Sequence, residues 1–137
     1  MKKTLLLNSA LSRIVAEAGH GDLICVADTG LPIPAGPERI DLSVSPSLPS
    51  TLQLLNALSS ELCVESITYA HELDLDSGQQ TRLLSAISQG WSHALAADAD
   101  TLPHEQFKQL TRQCKAIIRT GDFTPYYNVI LRCGVPF

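Results

Sequence analysis

The chain has 137 residues, 45% hydrophobic and 18% charged, with a formal net charge of −4. That is the composition of one ordinary globular domain, spanning residues 1–137, long enough to bury a core without staples. The acidic balance and the lack of any Lys/Arg cluster argue against nucleic acid or an anionic membrane surface as a partner.

Met1-Lys2-Lys3 followed by Leu5-Leu6-Leu7 opens like a signal peptide. Asn8, Ser9, Ser12 and Arg13 stop the apolar run far short of the roughly 7–15 residues that an h-region needs. No stretch reaches transmembrane length, so a cytoplasmic protein without a membrane span is expected. Lys3 to Leu7 reads as a first strand or an extended lead-in. Asn8 or Ser9 then caps a helix with Leu11, Ile14, Val15 and Ala18 on one face, and Gly19 is the natural residue to end it. Leu23 to Ala27 is an unbroken apolar run between turn residues, the pattern of a strand covered on both faces. Asp28 falls where that strand stops, and Gly30, Pro32 and Pro34 restrict the loop that follows.

Arg39 to Leu42 is expected to form a short strand, and Ser43 to Ser50 a Pro/Ser-rich connection. Ser50 or Thr51 caps a helix carrying Leu52, Leu55 and Leu58, and Leu62 to Tyr69 reads as a strand. A polar helix over about Ser77 to Ser92 places Leu83, Leu84, Ile87 and Trp91 on one face. Ala96 to Leu102 is ambiguous between strand and loop. Pro103 opens a short helix with Phe107 and Leu110 inward. Ala116 to Arg119 and a segment starting at Val129 are the last strands. Alternating strands and helices indicate a layered α/β fold.

Several residues have side chains suited to chemistry. His20, between Gly19 and Gly21, is a residue type that transfers protons near neutral pH; the alternative is a turn histidine bonded to a backbone carbonyl. Asp28 sits at the carboxyl end of a strand, where ligands bind in open α/β sheets, and could accept from sugar hydroxyls or cap its own loop. Five extended residues span about 17 Å, so His20 and Asp28 of one chain are too far apart to share a small substrate. His104 opens a helix, with Glu105 meeting the helix dipole. Tyr126, Tyr127 and Asn128 offer aromatic faces and an amide before a strand, a set suited to a polyol or, equally, to a tight turn with one buried tyrosine. Cys25, Cys63, Cys114 and Cys133 form no C-x-x-C, so no metal site is expected, and buried free thiols are the simpler reading. Nucleotide-binding glycine loops, G-x-S-x-G and H-E-x-x-H are all missing from the sequence.

Taken in order, Leu7-Asn8-Ser9, Gly19-His20-Gly21-Asp22, Asp28-Thr29-Gly30-Leu31-Pro32-Ile33-Pro34, Arg39-Ile40-Asp41, His104-Glu105-Gln106-Phe107-Lys108, Ile118-Arg119-Thr120-Gly121, Pro125-Tyr126-Tyr127-Asn128 and Cys133-Gly134-Val135 resemble the ribose pyranase and fucose mutarotase family (RbsD/FucU). The Asp-x-Gly-Leu-Pro-Ile-Pro form is similar to the ribose branch. The resemblance implies an RbsD-like three-layer αβα sandwich with a mixed, mostly parallel sheet. It implies an isomerase that interconverts pyranose and furanose forms of D-ribose without cofactor or metal, in a homo-oligomer, a decamer, with sites between subunits. It assigns proton donation to His20 and sugar binding to Asp28, His104, Tyr126, Tyr127 and Asn128. Thr29 stands where the family often has alanine, and Pro103 where it usually has a capping Ser or Thr. Three alternatives remain: mutarotation of another sugar such as L-fucose, a non-catalytic sugar-binding protein of a ribose uptake system, and an oligomeric scaffold without a ligand.

Overall fold

The computed structural model of the chain describes residues 1–94 and 99–137. Its elements in chain order are α1 (Ser9–Glu17), β1 (Leu23–Ala27), β2 (Glu38–Asp41), α2 (Thr51–Ser59), β3 (Val64–Ala70), α3 (Ser77–Gly90), β4 (Ala99–Leu102), α4 (His104–Leu110), β5 (Ala116–Arg119) and β6 (Val129–Cys133), with short 3-10 turns at His71–Leu75 and Thr111–Gln113. The strands form one sheet in the order β2-β5-β1-β6-β3-β4. Parallel pairing joins β2 to β5, β5 to β1 and β3 to β4, while β6 runs antiparallel to both β1 and β3. Among the described residues, five strands therefore point one way and β6 opposes them.

Strand alternation divides the core into two layers. Ile24 and Val26 of β1, Ile118 of β5 and Leu131 of β6 pack with Leu11 and Ile14 of α1, Leu55 and Leu58 of α2, and Leu83 and Ile87 of α3. On the opposite face Cys25, Ala27, Ile117 and Ile130 meet Phe107 and Leu110 of α4 and the Leu31–Ile33 loop. Every residue of β1 is buried, as expected for a strand sandwiched between layers. The result is a three-layer αβα sandwich with a mixed, mostly parallel sheet. Among the described residues, no helix is long and apolar enough to cross a membrane.

Several elements differ in detail from the sequence reading. Residues 3–7 form no strand and lie outside the sheet, bent at Thr4 and Leu5, with Leu6 buried. Asn8 Oδ1 accepts the Leu11 N–H at 3.0 Å and caps α1. Gly19 follows the end of α1, but Gly21, at φ 83°, supplies the left-handed turn into β1. Ser50 and Gln53 form a reciprocal capping box at the start of α2. That register buries Leu54, Leu55 and Leu58 and leaves Leu52 half-buried. The ambiguous segment resolves at 99–102 into β4, an edge strand whose parallel pairing with β3 overrides its weak propensity. Ala96, Ala97 and Asp98 lie outside the described residues.

Candidate functional site

Asp28 occupies the carboxyl end of β1 and is only 7% exposed. Its Oδ1 accepts the backbone N–H groups of Gly30 at 2.9 Å and Leu31 at 2.8 Å. This arrangement is an Asx turn, so the local-capping reading of Asp28 is correct as far as one oxygen goes. Oδ2 accepts from Asn128 Nδ2 at 2.9 Å, and Asn128 Oδ1 takes the Asp28 backbone N–H at 2.7 Å. Asn128 is fully buried at the entrance to β6. It lies beside Asp28 because antiparallel β6 starts at the sheet edge where β1 ends. Burial raises the Asp28 pKa above the usual aspartate value, opposed by the Asn128 amide and by the backbone N–H groups of Gly30, Leu31 and Tyr127.

A cavity of about 290 Å³ opens beside this pair, lined by Asp28, Thr29, Gly30, Asp122, Phe123, Thr124 and Pro125. Cavities of about 390 Å³ lie between α2 and α3 and along Ser66, Thr68, Asp100 and Arg132. Of these three, the smallest opens onto a buried carboxylate at the carboxyl ends of the parallel strands, where side chains converge for a ligand. Thr29 Oγ1 donates to the Thr120 carbonyl at 3.2 Å, so its hydroxyl anchors the loop while lining the cavity. Arg119 Nε donates to the Thr29 carbonyl at 3.1 Å, and Nη1 reaches Asp41 Oδ2 at 3.1 Å and Ser43 Oγ at 2.6 Å. One guanidinium thus ties the Asp28 loop to the ends of β2 and β5.

His104 begins α4 directly after β4. Its ring stacks on Phe107 at a centroid distance of 6.4 Å and meets Tyr126 edge-on at 5.0 Å. Tyr126 holds a positive φ of 60°, uncommon for a bulky residue, and its carbonyl accepts the Asn128 N–H at 2.8 Å. His104 Nδ1 is buried and finds no hydrogen-bond partner among the described residues. Pro103 provides no side-chain cap for α4. Glu72, in the 3-10 turn after β3, does so instead, accepting the His104 backbone N–H with both carboxylate oxygens at 2.9 Å. That bond, opposing desolvation, holds the Glu72 pKa below the usual glutamate value.

Asp28, Asn128, Tyr126 and His104 are thus linked by direct contacts at one edge of the sheet. Tyr127 is not part of this group through its side chain. It is 2% exposed, packs on the α1–α3 side of the sheet, and carries a buried hydroxyl without a partner among the described residues. Only its backbone N–H faces Asp28. His20 lies at the opposite end of β1, in the turn after α1, where its Nε2 meets Glu65 Oε2 at 2.9 Å. The sequence reading missed Glu65, Glu72, Arg119 and Asp122. Each acts through partners far away in the chain, and only Arg119 falls in one of the segments that carry the family resemblance.

The four cysteines are free thiols, with Cys25, Cys114 and Cys133 buried and Cys63 half-buried. No group of three or more His, Cys, Asp or Glu residues is placed to hold a metal among the described residues.

Comparison with known proteins gives a consistent picture. The chain is 48% identical over 137 residues to the D-ribose pyranase of Paracidovorax citrulli, covering 100% of both. It is 45% identical over 139 residues to the D-ribose pyranase of Haemophilus influenzae, again with complete coverage. The structure of Bacillus subtilis RbsD complexed with D-ribose matches with a TM-score of 0.86 and 42% identity over 100% of both chains. The fucose mutarotase of Streptococcus pneumoniae in complex with L-fucose shares the fold, with a TM-score of 0.72 and 19% identity over 100% of both chains. A sequence model of the RbsD / FucU transport protein family matches residues 1–136, and the chain belongs to that family.

Proposed function

We propose that the chain is a D-ribose pyranase, an isomerase that interconverts the pyranose and furanose forms of D-ribose by acid–base ring opening. The observation that carries this reading is the buried Asp28–Asn128 pair, whose carboxylate lines a cavity, in a chain 42% identical to a protein complexed with D-ribose. Asp28 Oδ1 is engaged by two backbone N–H groups, whereas Oδ2 takes one side-chain donor and has lone-pair capacity for a sugar hydroxyl. Tyr126 presents an aromatic ring to a sugar face. His104 is locked between Phe107 and Tyr126, with Nδ1 inward, and offers Nε2 to a second hydroxyl.

Ring opening needs a proton delivered to the ring oxygen and another removed from the anomeric hydroxyl. The free aldehyde then rotates and closes through a different hydroxyl. The reaction is redox-neutral, so nothing in it calls for an electron carrier. His20 serves as the proton donor, a role that contributes about 10²–10⁴-fold in rate. His20 and Asp28 stand at opposite ends of β1, about 17 Å apart along five extended residues. The reading therefore joins His20 of one copy to the Asp28 cavity of its neighbour in a homo-oligomer, of which a decamer is one form, located in the cytoplasm.

The test is the rate of pyranose–furanose exchange for D-ribose beside mutarotation of L-fucose. Faster exchange of D-ribose supports the proposal. Acceleration of L-fucose alone would make the chain a mutarotase of another sugar. Saturable binding without acceleration would leave a non-catalytic sugar-binding protein.

A further inference from the structure

His20 is anchored more firmly than a surface turn requires. Gly21, at φ 83°, donates its N–H to the Cys133 carbonyl at 2.8 Å, and Cys133 N–H returns to the Asp22 carbonyl at 2.8 Å. Asp22 Oδ2 accepts the Gly19 N–H at 2.9 Å and pairs with Lys115 at 3.3 Å. The His20 backbone is therefore held on both sides. Its imidazole is 62% exposed, and its Nε2 lies 2.9 Å from Glu65 Oε2.

Glu65 is also placed by an irregularity. The pairing of β3 with β6 shifts register between Val64 and Ser66, so Glu65 sits at a bulge, a device that re-aims a side chain. Gly134 lies beneath it; a Cβ there would come within 3.1 Å of Glu65 Cβ and 3.3 Å of its backbone N. The missing side chain at 134 permits that close approach. A bulge, a glycine and a tethered turn together bring a carboxylate from the start of β3 to one nitrogen of an imidazole 45 residues away.

We propose that Glu65 is a positioning residue for His20, holding Nε2–H so that Nδ1 is the nitrogen presented to the sugar. A carboxylate accepts and cannot donate, so an imidazole bonded to it through Nε2 carries a proton there. In the neutral ring Nδ1 is then the free base, and in the charged ring Nδ1–H is the acid. The same nitrogen gives the proton to the ring oxygen and recovers one after opening, with no ring flip between turnovers. This inference rests on the assignment of His20 as proton donor.

The experiment is a double-mutant cycle on D-ribose exchange with Glu65→Gln, His20→Ala and the pair, joined to ¹⁵N NMR of the histidine side chains in the wild-type protein. Glu65→Gln keeps the shape but can present either an acceptor or a donor to the ring. The expected result is a fall in kcat of at least about tenfold with KM within about twofold, part of the range a histidine supplies. In the His20→Ala background the same substitution should cost nothing further, because its effect passes through the imidazole. The wild-type His20 signals should show the Nε2–H form. A wild-type kcat in Glu65→Gln, an equal loss in both backgrounds, or an Nδ1–H form of His20 would overturn the proposal. Should Glu65→Gln fail to fold, the wild-type ¹⁵N spectrum decides alone. Full activity of His20→Ala would instead remove the proton-donor assignment.

Discussion

Asn128 grips Asp28 with both ends of its amide, its oxygen on the Asp28 backbone N–H at 2.7 Å and its nitrogen on the carboxylate at 2.9 Å. The two residues are 100 positions apart in the chain. The amide orientation follows from the partners, since only the oxygen can face an N–H and only the nitrogen can face a carboxylate. Asn128→Ala removes both bonds and leaves a buried charged group short of a donor, a loss of about 2–3 kcal/mol. Urea unfolding should report that loss, together with a weaker D-ribose affinity. Asn128→Asp should fare worse than Ala in affinity at neutral pH, because it faces one carboxylate with another.

The pH dependence of Asp28 has two opposite signs. Burial raises its folded pKa, so between the usual aspartate value and that raised value the folded chain keeps a proton that the unfolded chain has released. The stabilisation contributed by Asp28 is present at the acid end of this window and is lost as pH rises through the folded pKa. Sugar affinity follows the carboxylate and falls as Asp28 becomes protonated. Calorimetric titration of D-ribose from neutral pH downward should show affinity declining while the fold holds. In Asp28→Asn the affinity should be weak and that slope absent.

How much of this was legible in the sequence depended on the range of each interaction. β1 was legible because burial on both faces leaves an apolar run bounded by turn residues. The buried face of α2 was misjudged in part, since leucines at 52, 54, 55 and 58 support two overlapping stripes and only the capping box selects one. Tyr126 and Tyr127 could not be told apart, because the distinguishing feature is a positive φ at Tyr126 that no local pattern announces. The contacts of Glu72 with His104 and of Glu65 with His20 cross 32 and 45 residues. Such pairs arise from strand order, which the periodicity of the sequence does not encode.

Glu72 compensates for the proline that precedes α4. Glu72→Ala removes the side-chain acceptor on the His104 N–H and should cost about 1–2 kcal/mol, in the range of a lost helix cap. Because His104 is the first residue of that helix, D-ribose affinity should fall with stability. Thermal unfolding and calorimetric titration on the same variant would check both. In Pro103→Ser the wild-type affinity should persist, since the Glu72 bond is retained.

The three buried thiols should be chemically quiet in the folded chain. Burial pushes Cys114 up to about 12 and Cys133 up to about 11, and raises Cys25 well above the ordinary thiol range. Thiolates react and thiols do not, so these three should resist a disulfide reagent at neutral pH until the protein unfolds. Counting labelled cysteines by mass spectrometry before and after denaturation tests this. Rapid labelling of Cys25 in the native protein would contradict the described core.

The most direct test of ring isomerisation is magnetisation-transfer NMR on equilibrated D-ribose, with catalytic amounts of the protein. Saturating the β-pyranose anomeric proton should make intensity disappear from the furanose anomeric signals only when protein is present, and His20→Ala should slow that transfer by about 10²–10⁴-fold. Saturation that stays confined to the pyranose signals, with D-ribose demonstrably bound, would contradict the account.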